Sequence, residues 1–114
     1  MLPKENRLNK KREFEQIARS GRIFQMPSFG ISVARADSLS PPRFGIILSN
    51  KISKKAVERN RIRRILRDAI RGLLPEVRLG LIFVILAKKS IIDKSASDLV
   101  GELRIGFGKA GGLK

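Results

Sequence analysis

The chain has 114 residues and carries 25 Lys and Arg against 10 Asp and Glu, a formal net charge of +15. It has no Cys and no His, so composition excludes disulfides, thiolate chemistry, Cys-ligated zinc and every proton relay that needs imidazole. Hydrophobic residues make up 42% of it, enough for one core in a single domain over 1–114, and the default partner for so basic a chain is a polyanion.

The first residues, MLPKENRLNKKREF, carry charge where a signal peptide has its apolar stretch. No run approaches the roughly 18 apolar residues of a membrane span, so the chain reads as cytoplasmic with no membrane partner. Asn9 can cap a helix over Lys10–Ser20, with Phe14, Ile17 and Ala18 on one face. Gly21 would end it where a left-handed residue is easy. Phe29, Ile31 and Val33 alternate with small or polar neighbours, as on a half-buried strand. Asp37–Pro42 is a loop, and Phe44–Leu48 a second strand.

A long helix follows, with Ser53 as cap and Leu74-Pro75 as its end. Leu81–Ala87 (LIFVILA) is uniformly apolar, like a central strand covered on both faces. A weaker helix starts at Ser95 or Ser97, with Leu99, Val100 and Leu103 inward and with Gly101 and Gly106 against it. The Gly-rich residues 106–114 read as a flexible tail. These elements predict an α+β fold in the order α-β-β-β-α-β-α, a two-layer sandwich of helices on a small sheet.

Charge is concentrated. Lys51–Arg71 holds nine basic and two acidic residues, and Lys4–Arg22 holds seven basic and three acidic. At about 100° per residue, the long helix gathers Ile62, Ile65, Leu66, Ala69 and Leu73 on one side. Asn60, Arg64, Arg67 and Arg71 fall on the opposite side, with Arg59 and Arg61 flanking them and Arg63 close to Arg59. Only Glu58 and Asp68 lie nearby to neutralise nine cations. A guanidinium offers a planar fork that fits two phosphate oxygens, so this face predicts a polyphosphate partner.

The run Lys54-Lys55-Ala56-Val57-Glu58-Arg59-Asn60-Arg61-Ile62-Arg63-Arg64-Ile65-Leu66-Arg67 closely resembles the Arg-Asn-Arg signature of the bacterial ribonuclease P protein subunit. Asn6-Arg7-Leu8 with Lys10 and Phe14, and the strand ending in Leu86-Ala87-Lys88, match the same family in order and spacing over about residues 6–105. The resemblance implies a left-handed β-α-β crossover around the Arg-rich helix. It also implies an accessory role in a ribonucleoprotein that removes the 5′ leader of precursor tRNA. The RNA subunit would carry the chemistry and require Mg²⁺, and the protein itself would hold no catalytic residue, metal or small-molecule cofactor.

By position, Arg59, Asn60, Arg61, Arg63 and Arg64, with Lys54 and Lys55, would face the ribonuclease P RNA. Phe14, Arg67, Lys10 and Arg7 would meet precursor tRNA and its leader. The chain departs from the family pattern at Ala18 and Ser32, where aromatics are common, and in Lys51–Lys55, which is one residue longer. Three rival readings remain from the residues alone. One is a structural RNA-binding protein of ribosomal type, and another is a DNA-binding helix. The third is a metal nuclease using Asp98 and Glu102, spaced i, i+4, with Asp93.

Overall fold

The computed structural model describes residues 4–7, 17, 21–35 and 39–114. Its sheet has four strands, β1 (Arg22–Gln25), β2 (Phe29–Arg35), β3 (Arg43–Ile47) and β4 (Leu81–Ala87), in the order β1-β2-β4-β3. The β1–β2 and β2–β4 pairs are antiparallel, and β3–β4 is parallel. A parallel neighbour requires a crossover, which α1 (Ala56–Leu73) supplies. A 3-10 turn over Lys89–Asp93 then leads into α2 (Ala96–Lys109). The α+β sandwich expected from the sequence is the one observed. The expected helix over Lys10–Ser20, with Phe14 and Ala18, lies outside the described residues except for Ile17, which is helical and buried.

Strand β4 has the bounds and the burial that its composition predicts. It is an interior strand, and Ile82, Phe83, Val84 and Ile85 are all buried. Strand β2 departs from the half-buried reading, because it too is interior and Phe29 through Ser32 are buried on both faces. Ser32 is fully buried, and its hydroxyl donates to the Ile17 carbonyl at 2.6 Å. Gly21 is not left-handed. Its role is close approach: a Cβ there would collide with Ser32 Oγ and lie 2.6 Å from the Ile17 carbonyl oxygen. Strand β1 is a largely exposed edge, so it carries no apolar alternation that would have announced its bounds.

The main core fills the space between the sheet and both helices. Phe44 and Phe83 stack with centroids 5.2 Å apart, and Phe107 tilts against both at 5.7 and 4.9 Å. Such pairs add roughly 0.5–1.5 kcal/mol each beyond their burial. A smaller cluster of Ile17, Ile82 and Val84 covers the other sheet face, with Ala34, Ile47 and Leu86 against it.

Ser95, not Ser97, caps α2. Its hydroxyl accepts from the Asp98 N–H at 3.1 Å while Asp98 accepts from the Ser95 N–H at 3.2 Å, a reciprocal capping box. Leu99, Leu103, Gly106 and Phe107 face the core, whereas Val100, expected inward, is 38% exposed. Gly106, a poor helix residue, is what seats α2 on the sheet, because a Cβ would lie 2.5 Å from Ile31 Cδ1. Residues 106–114 do not form the loose tail expected from their glycines. The helix runs to Lys109, Leu113 bridges Val77, and the Gly112 carbonyl accepts from the Arg78 N–H at 2.7 Å. Phe107 and Leu113 have apolar partners in the core, and that holds the segment down.

Candidate nucleic-acid interface

Helix α1 buries Ile62, Leu66, Ala69, Ile70 and Leu73, an i, i+4, i+7, i+8, i+11 stripe. Ile65, expected inward, sits at the margin of that stripe and is half-buried, and the fully buried Ile70 takes its place. The helix start also differs from expectation. Its N-cap is Lys55, in extended backbone with no side-chain cap bond. Ser53 lies two residues too early, and its hydroxyl accepts only from the Lys55 N–H at 3.2 Å. The first turn of α1 therefore presents backbone N–H groups without a side-chain cap, beside exposed Lys54 and Lys55, an arrangement that favours an anion. Lys54 lines an open recess of about 450 Å³ with Asn50, Lys51 and Arg59.

The arginines divide by direction. Arg59 donates from Nη1 to the Ser53 carbonyl at 2.6 Å, and Arg63 from Nη2 to the Leu48 carbonyl at 3.4 Å, so both lean toward the loop before the helix. Arg61 leans the other way, with Nη2 3.4 Å from the Ile92 carbonyl oxygen. Between these flanks Asn60, Arg64 and Arg71 are exposed and Arg67 is half-exposed. Backbone carbonyls orient a guanidinium without cancelling its charge. Among the described residues no ion pair joins Arg64, Arg67 or Arg71 to a carboxylate. The structure thus brings Lys54, Lys55, Arg59, Asn60, Arg61, Arg63, Arg64 and Arg67 onto one helix and its entry.

The other candidates fall elsewhere. Arg7 makes a parallel bridge to Phe44 on edge strand β3, beside Asn6, whose Nδ2 donates to the Pro42 carbonyl at 2.7 Å. Arg7 Nε is buried without a partner among the described residues. Phe14 and Lys10 lie outside the described residues.

Of the carboxylates considered as metal ligands, Asp98 and Glu102 have structural partners. The Ser95 N–H and hydroxyl hold the Asp98 carboxyl below its ordinary pKa. Glu102 accepts from the Ser28 hydroxyl at 2.8 Å and from its N–H at 3.2 Å, tying the β1–β2 turn to α2. Among the described residues no group of three or more carboxylates is gathered as a metal site would need.

A small sheet backed by two helices, one of which turns a row of guanidinium groups outward, defines a basic α+β protein with an exposed cationic helix face. Comparison with known proteins makes this specific. The ribonuclease P family model matches residues 2–111, and the chain belongs to that family. It is 36% identical to the ribonuclease P protein component of Rippkaea orientalis, over 90% of this chain and 84% of that protein. It is 34% identical to that of Gluconacetobacter diazotrophicus, over 97% and 96%. In fold it resembles the RNase P protein of Staphylococcus aureus, with a TM-score of 0.86 at 22% identity over 97% of this chain and 100% of that one. The Thermotoga maritima RNase P protein superposes with a TM-score of 0.78 at 22% identity, over 87% and 92%. The resemblance carried by the Lys54–Arg67 run is borne out.

Proposed function

We propose that this chain is the protein subunit of a ribonuclease P ribonucleoprotein that removes the 5′ leader of precursor tRNA, working with the RNA subunit in the cytoplasm. The observation that carries this is the outer side of α1, where Asn60, Arg64, Arg67 and Arg71 stand between Arg59 and Arg63 on one flank and Arg61 on the other, with no carboxylate partner for these arginines among the described residues. Clustered guanidinium groups repel one another until phosphates lie among them, so this face is completed by RNA. In this reading Lys54, Lys55, Arg59, Asn60, Arg61, Arg63 and Arg64 hold the RNA subunit. Arg67 and Arg7, with Phe14 and Lys10, hold the leader of precursor tRNA.

The RNA subunit carries the chemistry and the Mg²⁺. The donor sets support that division, because Asp98 and Glu102 are engaged in a helix cap and a turn. The protein's part is to screen phosphate repulsion between two RNAs. Reconstitution with a bacterial ribonuclease P RNA at low Mg²⁺ tests the proposal. The protein alone leaves precursor tRNA intact, and with the RNA it raises cleavage or lowers the Mg²⁺ requirement. RNA-free, metal-dependent cleavage that disappears in Asp98→Ala would overturn it. Tight RNA binding with no effect on cleavage would favour a purely structural RNA-binding protein.

A further inference from the structure

We propose a second site, for one nucleotide of single-stranded RNA, at the end of the sheet remote from the Arg-Asn-Arg run. It is an open cleft of about 520 Å³ whose lining includes Arg22, Phe24, Arg35, Arg78, Leu81 and Gly111. Helix α1 begins near the C-terminal ends of β3 and β4, where Arg63 reaches the Leu48 carbonyl and Arg61 that of Ile92. It returns through Arg78 to the start of β4, and its 18 residues span about 27 Å at about 1.5 Å each. The cleft lies at that returning end. In register, Arg22 pairs with Val33 and Arg35 with Leu81, on the sheet face that the helices cover, beyond the point where α2 stops at Lys109.

The chain has six Phe and no Tyr or Trp. Of the five Phe among the described residues, Phe29, Phe44, Phe83 and Phe107 are buried, and Phe24 alone is half-exposed. The Arg22 guanidinium carbon lies over the Phe24 ring, 5.5 Å from its centroid, a cation–π pair in which Arg22 is exposed and Phe24 half-exposed. Bases stack on such aromatic and guanidinium surfaces whatever their sequence. Arg35 and Arg78 supply the phosphate forks from two other segments. Arg78 is held in place by its Nε bond to the Leu113 carbonyl at 2.9 Å. Among the described residues no carboxylate pairs with Arg22, Arg35 or Arg78.

Gly80 and Gly111, at φ +79 and +71, are the left-handed residues of the described chain, and both form walls of this cleft. A Cβ at Gly111 would meet nothing within 4 Å, so the space beside it is open. A base on the Arg22–Phe24 pair with its phosphate between Arg35 and Arg78 uses each of these features. The choice of RNA over other polyanions rests on the proposed function; the cleft itself does not.

The test is an amide chemical-shift titration of the full chain with the oligonucleotide rU5, and separately with tripolyphosphate. The amides of Arg22, Phe24, Arg35, Gly80 and Gly111 are expected to shift and saturate with rU5. Arg35→Ala, at an exposed strand end, weakens that binding about fivefold or more and lowers the log–log salt slope by about 0.7, the value of one single-strand phosphate contact. Arg22→Ala weakens it similarly, and Lys89→Ala, at an exposed position outside both basic sites, leaves it unchanged, with melting curves confirming that all three fold. Absence of shifts at these amides, or undiminished affinity in both Arg22→Ala and Arg35→Ala, would overturn the site. Equal affinity for tripolyphosphate would overturn the nucleotide assignment. A failed reconstitution with ribonuclease P RNA would leave these shifts in place, so the two proposals fail separately.

Discussion

Helices α1 and α2 lie side by side on one face of the sheet and handle charge in opposite ways. In α2 the charges close on themselves: Asp98 completes a capping box, Glu102 fastens the β1–β2 turn, and Arg104 meets Glu76 at 2.7 Å. In α1 no side chain caps the first turn, and among the described residues the arginines that have partners use neutral carbonyls. Charge matched inside a fold serves stability. A row of cations left unmatched costs self-repulsion, which an outside anion relieves. Both helices feed the same core, and they differ on the outward side, where the charges of α2 are matched within the fold and the arginines of α1 have no carboxylate partner among the described residues.

The strongest test of that division lies within α1. Ile70→Ala, at a fully buried position, is expected to cost about 2–5 kcal/mol in urea unfolding through the cavity it leaves. Arg64→Ala is expected to leave the unfolding midpoint unchanged while reducing the salt slope of RNA-subunit binding by about one unit. Equal destabilisation by both would show that α1 is rotated from the orientation described.

Next comes the seat of α2. Gly106→Ala drives a methyl to 2.5 Å from Ile31 Cδ1, and overpacking of this kind costs about 1–3 kcal/mol. Gly101→Ala in the same helix meets nothing within 4 Å and is expected to stabilise by about 0.5–1 kcal/mol. Thermal melts of the two variants should move in opposite directions.

Capping sharpens the contrast between helices. Ser95→Ala removes a true N-cap and should cost about 1 kcal/mol. Ser53→Ala, whose hydroxyl lies outside the cap position of α1, should leave stability within error.

The smallest effect is with pH. The Arg104 hydrogen bond holds Glu76 below its ordinary pKa, as the Ser95 bonds hold Asp98. A carboxylate depressed on folding contributes stability that is complete above its unfolded pKa, near pH 4, and is lost as pH falls through the lower folded value. Melting temperature should therefore be insensitive to these groups at neutral pH and decline on the acid side. Glu76→Gln with Asp98→Asn should flatten that acid decline slightly, since both groups are solvent-exposed.

Much of the molecule is legible without coordinates, because its signals are local and periodic. LIFVILA reads as a doubly covered strand, and the 3.6-residue repeat of α1 separates apolar from cationic sides, with Ile65 at the margin and Ile70 inward. The Lys54–Arg67 run, read against a family pattern, leads to ribonuclease P. These features depend on residues within a few positions of one another, so the chain states them directly.

What escaped the sequence depends on neighbours far along the chain. Ser32 is polar by type yet buried, because Ile17 covers it and accepts its hydrogen bond. Gly106 looks like a flaw in α2 until Ile31 is seen pressed against it, and residues 106–114 look loose until Val77 and Arg78 supply partners. The cleft of Arg22, Phe24, Arg35 and Arg78 has no sequence motif at all, being assembled from the start of β1, the end of β2 and the return from α1. Residue type and periodicity decide which surfaces are apolar or charged. Only the tertiary arrangement decides which of those surfaces meet, because contact between distant segments is set by strand order and packing rather than by any local repeat.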